Sequence, residues 1–227
     1  MTARTERKYA LNSQQLRRLS QRLSASLTID PYCSNGPYHI RSIYFDGPKW
    51  PAIWEKISGT SPRRKYRIRF YNRRFDQPFL ECKRKIGDQI IKQSRAISPK
   101  VCKDLLNQRR TKLSNVPLMR QFQVDQRTNA LRPQITVDYY RMAYVHDLGQ
   151  LRVTFDTDLA AGRWQDWKSI QHMPVRVIEQ SNILELKYTT VHPSFIPMLL
   201  PNLSSPQLAI SKYVLCHSQL ATPLKGF

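Results

Sequence analysis

Residues 64–71 read RKYRIRFY, and the alternation in this stretch decides the fold. Successive side chains of an extended strand point to opposite faces, so Lys65, Arg67 and Arg69 share one face and Tyr66, Ile68 and Phe70 the other. The device recurs along the chain. In LECKRK (80–85), Glu81, Lys83 and Lys85 oppose Leu80 and Cys82. In LRVTFDT (151–157), Arg152, Thr154 and Asp156 oppose Leu151, Val153 and Phe155. In LELKY (184–188), Glu185 and Lys187 oppose Leu184, Leu186 and Tyr188, and in RTERKY (4–9) Arg4, Glu6 and Lys8 line up the same way. A sheet with one solvated face explains any one of these strands. Five strands with cations outnumbering acids on the polar face point elsewhere, because like charges on neighbouring strands repel unless a polyanion or acids sit among them. Turned inward, these faces line a basic tunnel in an antiparallel β-barrel.

The rest of the chain fits a mainly β protein with short helices. A strand over Arg4–Leu11 leads through an Asn12-Ser13 cap into an amphipathic helix over Gln14–Leu27, with Leu16, Leu19, Leu23 and Leu27 at helical spacing. Strands follow at Arg41–Asp46, Arg64–Tyr71, Pro78–Ile86 and Gln89–Ile97, the last two joined by a Gly87-Asp88 turn. Ser98-Pro99 caps a helix over Lys100–Asn107. Strands over Gln134–Val145 and Gln150–Leu159 pair across residues 146–149, Ile183–Thr189 is a further strand, and helices near Ser194–Leu200 and Pro206–Ser218 close the chain. Short, regularly spaced strands favour an antiparallel barrel or sandwich.

The 227 residues carry 37 Lys plus Arg against 16 Asp plus Glu, a net charge of +21, which predicts a polyanionic partner. With 41% hydrophobic residues a packed core is expected. No apolar run reaches membrane-spanning length, and MTARTERKYALNSQQ does not read as a secretory signal, so the expected location is cytoplasmic. Cys33, Cys82, Cys102 and Cys216 lack metal-ligand spacing and read as reduced thiols, and the five histidines are scattered. The phosphate loop GxxxxGK[ST] is absent, so phosphates would be held by side chains. Glu6, Glu81, Asp156, Asp158 and Glu185 are expected among the strand cations, either as internal ion-pair partners or as holders of a hard divalent cation.

The segments RTERKY, YHIRSIYFD, KYRIRFY, LECKRKIGDQIIKQSR, ITVDYYR, LRVTFDTDL, LELKY and SKY (211–213), in this order, resemble the VTC domain. This is the polyphosphate polymerase domain of the vacuolar transporter chaperone complex and its bacterial relatives, within the triphosphate tunnel metalloenzymes. The resemblance implies one such domain over residues 1–227, folded as a closed antiparallel barrel of about eight strands. It implies metal-dependent transfer of the terminal phosphoryl group of ATP to polyphosphate. By motif, Lys8, Arg67, Arg69, Lys83, Lys92, Arg141, Arg152, Lys187, Ser211 and Lys212 would bind phosphate. Arg67, Arg69, Lys83, Glu185 and Lys212 would carry catalysis, and Glu185 would hold Mn2+ or Mg2+.

The first strand departs from the pattern of hydrolytic members, which begin ExExK: here residues 4–8 read RTERK. One acid fewer weakens metal binding there and favours a polymerase over a triphosphatase. The membrane segments and phosphate-sensing domain of the eukaryotic polymerases are not in this sequence, so export of product implies a membrane-protein partner. Arg17, Arg18, Arg22, Arg63, Arg64, Arg109, Arg110 and Lys112 are expected in helices or turns, serving either solubility or contact with polyphosphate or an anionic membrane. Two rivals remain: a tripolyphosphatase or nucleoside triphosphatase on the same tunnel, and a non-catalytic binder of polyphosphate. Nucleic acid is disfavoured, because the aromatic residues of KYRIRFY face away from its cations.

Overall fold

The computed structural model describes residues 5–87, 89–168, 175–176, 182–189, 196–200 and 210–221. Its elements are, in order, β1 (Thr5–Leu11), α1 (Ser13–Ser26), β2 (Thr28–Ile29), β3 (Tyr38–Asp46), α2 (Pro51–Ile57), β4 (Arg63–Tyr71), β5 (Phe79–Ile86) and β6 (Gln89–Ala96). There follow α3 (Pro99–Leu106), α4 (Pro117–Thr128), β7 (Arg132–His146), β8 (Leu151–Arg163), β9 (Val175–Arg176), β10 (Asn182–Tyr188), α5 (Ile196–Leu199) and α6 (Lys212–Ala221). One antiparallel sheet runs β1-β10-β8-β7-β3-β4-β5-β6, with the two-residue β2 and β9 added on β7 and β8.

The sheet curls as expected, but it is open rather than closed. Among the described residues β1 and β6 share no backbone pairing, and the contact from β1 to the far wall is between side chains, Lys83 Nζ donating to Glu6 at 3.3 Å. Alternation cannot reveal this, because it assigns faces to strands and says nothing of how the sheet's edges meet.

The register aligns the apolar halves of the strands on the convex face. Ile43 stands opposite Ile68, which stands opposite Leu80. These side chains, with Phe45, Tyr66 and Phe70, are buried under α3 and α4 through Cys102, Leu105, Leu106 and Phe122. Each fully buried Ile, Leu or Phe of this layer contributes about 1.5–3 kcal/mol. A second convex cluster packs Leu19 and Leu23 of α1 against Val153, Phe155, Leu184 and Leu186. The α1 start is a reciprocal cap: the Asn12 side chain accepts from the Gln15 amide and Gln15 Oε1 accepts from the Asn12 amide. A third cluster lies inside the curl at one end, where Tyr213 and Cys216 of α6 cover Ile40, Tyr44, Ile135, Val137 and Leu159. All four cysteines are free and buried.

Several boundaries differ from expectation. β3 starts at Tyr38 rather than Arg41, and α2 and α4 were not anticipated. α2 is one short helix after a left-handed Lys49-Trp50 pair, and in α4 the buried Leu118, Met119 and Phe122 are diluted by Arg and Gln. Arg63 and Arg64 belong to β4, not to a turn, and Arg64 on the convex side pairs with Asp125 at 2.5 Å. Asp158 is exposed and sits at left-handed φ 54° where the β7–β8 register slips, so it leaves the row of inward acids. The last helix begins at Lys212 rather than Pro206. Arg4, Asp88, residues 194–195 and residues 206–209 of the expected elements lie outside the described residues.

Candidate functional site

The concave face gathers the polar halves of β1, β10, β8, β7, β3, β4, β5 and β6. On β4, Arg67 and Arg69 point inward as alternation requires. Arg67 binds the buried Glu81 of β5, with Nη2 2.7 Å and Nε 2.8 Å from Oε2, and Nη1 donates to the Tyr44 hydroxyl at 2.9 Å. Arg69 lies 3.8 Å from the same carboxylate and donates to Ser42 Oγ and the Tyr139 hydroxyl, each at 3.1 Å. Lys92 of β6 completes the cluster, 2.7 Å from Glu81 Oε1. Burial opposes the Glu81 charge, but Arg67, Arg69 and Lys92 outweigh it and hold the carboxyl far below its usual range.

The opposite wall carries a second network. Arg141 of β7 grips Asp156 of β8 through two bonds of 2.6 and 2.7 Å and lies 3.6 Å from Glu185 of β10. Lys212, the first residue of α6, reaches Asp156 at 2.5 Å. The first turn of α6 is closed by the Leu215 amide donating to the Ser211 carbonyl. Against the cost of burial, Arg141 and Lys212 lower the Asp156 pKa to about 2. Lys8 of β1 stands opposite Glu185 in register, 3.7 Å from it and 2.8 Å from Glu6, while Lys187 is 3.2 Å from Glu185. Despite burial, Lys8, Lys187 and Arg141 keep Glu185 ionised well below the usual carboxylate range.

The structure therefore brings Lys8, Arg67, Arg69, Lys83, Lys92, Arg141, Lys187 and Lys212 to one concave surface. Ser211 joins them by accepting from Lys65 Nζ at 3.3 Å. Arg152 also points inward, but it is held at the wall by Asp30, in the turn that follows β2. Sequence reasoning missed Asp30, because a loop residue carries no periodicity. It also missed Ser42, Tyr44 and Tyr139, which bind the two β4 arginines. The signal for Ser42 and Tyr44 was present: they alternate in RSIYFD and stand in register with Arg69 and Arg67.

No group of three or more His, Cys, Asp or Glu is placed to hold a metal among the described residues. Glu6 and Glu185 do flank the same Lys8 ammonium, at 2.8 and 3.7 Å from its Nζ. Beside them Thr154, the register partner of Glu185, has a buried hydroxyl without a hydrogen-bond partner among the described residues. Two carboxylates and an orphan hydroxyl fit a hard cation that takes its remaining oxygens from phosphate and water, as Mg2+ commonly does.

The chain is similar in fold to two solved structures. One, described as an adenylate cyclase candidate from Bacillus halodurans, is 12% identical with TM-score 0.56, over 92% of this chain and 94% of that one. The other, described as an adenylyl cyclase candidate from Hippeastrum with a dominant triphosphatase activity, is 13% identical with TM-score 0.52, over the full length of both chains. No curated protein matches. No helix among the described residues is long and apolar enough to cross a membrane. The VTC domain model matches residues 3–221, so the curled sheet with its ion-laced concave face is that of a member of the VTC domain family.

Proposed function

We propose that the concave face binds the phosphate chain of ATP and passes the terminal phosphoryl group to polyphosphate. The observation that carries this reading is the convergence of eight Lys and Arg side chains from β1, β4, β5, β6, β7, β10 and α6 on one surface. Their carboxylate partners are too few to neutralise them, and a linear polyanion supplies the missing charge. Family membership and fold support a triphosphate-handling enzyme, and the RTERK start, with one acid fewer than ExExK, favours chain extension over hydrolysis.

In this reading Arg67, Arg69 and Arg141 clamp phosphate oxygens with planar forks, and Lys8, Lys83, Lys92, Lys187 and Lys212 add point charges along the chain. Arg152 and Ser211 contact phosphate at the margins. Glu185, with Glu6, would hold Mn2+ or Mg2+, which supplies charge neutralisation on the transferred group. The terminal phosphorus of ATP gains a bond to an end oxygen of the acceptor chain and loses its bond to the bridging oxygen, whose electron pair leaves with ADP. The acceptor oxygen is already ionised at neutral pH, so no general base is required. The chain's cations do the positioning and charge stabilisation on which phosphoryl transfer depends. The test is incubation with ATP and Mn2+ followed by a gel for polyphosphate. Long chains are expected, and orthophosphate with ADP and no chains would replace the polymerase reading with a hydrolase.

A further inference from the structure

The cations of the concave face fall into two sets. Those described above each have a carboxylate within 4 Å. At the end of β4 nearest α2, Arg63, Lys65, Lys85 of β5 and Lys56 of α2 have none among the described residues. Register makes the crowding worse, for Arg63 stands opposite Lys85 and Lys65 opposite Lys83. Like charges directly opposite each other destabilise a sheet. Among the described residues the Arg63 guanidinium is steadied by the Thr60 carbonyl, at 2.7 Å. Lys65 Nζ donates to Ser211 Oγ at 3.3 Å and lies 5.5 Å from the centre of the Tyr213 ring. The nearest acid on α2, Glu55, forms no ion pair with them.

We propose that Arg63, Lys65 and Lys56 form an extension subsite that holds a linear polyphosphate chain beyond the length of a triphosphate. The assignment rests on the proposed phosphate-binding function of the concave face and adds a direction to it. Arg63 is four residues along the strand from Arg67, roughly 14 Å at strand rise, which is farther than a triphosphate reaches. A chain seated on Arg67 and running along β4 therefore meets Lys65 next and Arg63 after it. The energetic logic is that of an anion site awaiting its ligand. Burial and the neighbouring charges of Lys56, Arg63, Lys83 and Lys8 depress the Lys65 pKa to about 7, and no described carboxylate stands within 4 Å to relieve it, Glu55 acting only from farther away. A phosphate oxygen there would restore the full charge. Elsewhere on this face the protein's own acids do that work, so a short ligand must compete with them, whereas here no described carboxylate lies within ion-pair distance and Glu55 acts only from farther away.

The experiment compares tripolyphosphate with a long inorganic polyphosphate, by titration calorimetry in ~0.2 M salt to suppress general attraction. The proteins are wild type, Lys65→Met, Arg63→Gln/Lys65→Met, Lys65→Arg, and a control lacking three exposed α1 charges, Arg17→Gln/Arg18→Gln/Arg22→Gln. The double variant is expected to lose about 10-fold or more in affinity for the long chain and less than about 3-fold for tripolyphosphate. Lys65→Arg should retain long-chain affinity, and the α1 control should show no selective loss. Thermal melts establish that each variant is folded. Equal losses for both ligands, an equal selective loss in the α1 control, or no loss in the double variant would each overturn the subsite while leaving the phosphate-binding reading intact. A wild type that binds neither anion would overturn both.

Discussion

On β4 the two faces of a single strand follow opposite rules. Ile68 and Phe70 are fully buried among Leu80, Leu106 and Trp167, and their contribution is apolar and needs no ligand. Arg69 is buried too and Arg67, on the same face, half-buried, but among charges: their partners are Glu81, Tyr44, Ser42 and Tyr139. The convex face stabilises the protein as it stands. The concave face contributes little net stability, because desolvation cancels much of what its ion pairs gain. It is organised for an occupant.

Substituting neighbours on β4 breaks or sharpens this contrast most directly. Arg67→Ala should reduce activity by on the order of 100- to 1000-fold, the range for removing one stabilising donor from a transition state. It should cost stability only about 1–2 kcal/mol, because Arg69 and Lys92 still neutralise Glu81. Phe70→Ala should do the reverse, costing about 3–5 kcal/mol of stability while the folded fraction keeps its turnover. Urea melts and initial rates on both variants read the two quantities, and matching profiles would erase the distinction between faces.

A second test removes a carboxylate from the concave face. Glu185→Gln leaves Lys8, Lys187 and Arg141 without their shared anion. The empty variant should therefore melt lower than wild type. Tripolyphosphate should raise its melting temperature by more than it raises that of wild type, and Mn2+-dependent turnover should be lost. Near-normal turnover across a Mn2+ titration would leave Glu185 an ion-pair partner and nothing more.

The smallest expected effect is on pH dependence. Lys65 has a folded pKa near 7 against about 10.4 unfolded, so the unfolded chain binds more protons between those values. Its share of stability therefore rises with pH across that window, and the burial penalty is fully felt below about pH 7. In the empty protein the melting temperature of wild type should gain on that of Lys65→Met between pH 7 and 10. A difference that stays flat would mean the Lys65 charge is already satisfied.

The sequence carried the faces but not the joins. Alternation in RKYRIRFY, LECKRK, LRVTFDT and LELKY assigned Arg67, Arg69, Lys83, Arg152, Glu185 and Lys187 to the concave side, because a strand offers a side chain only two directions. Ion-pair partners depend on register and on loops, which that period does not encode. So Asp30 beside Arg152 was not foreseeable, nor was Lys212 reaching Asp156 from the start of α6. Asp158 failed for a local reason: one slipped residue between β7 and β8 inverts the parity that alternation assumes.

The open seam between β1 and β6 also bears on how copies of this protein behave toward one another. Strand edges without a partner among the described residues are templates on which a second chain can add, the first step toward aggregation. Both edges bear charge. β6 presents Lys92 and the exposed Arg95, and β1 alternates Glu6, Arg7 and Lys8. A copy of β6 approaching β6 would bring cation against cation wherever Lys92 faces the second strand's Lys92 or Arg95. The excess of positive charge on β6 thus works against one copy of that edge recruiting another.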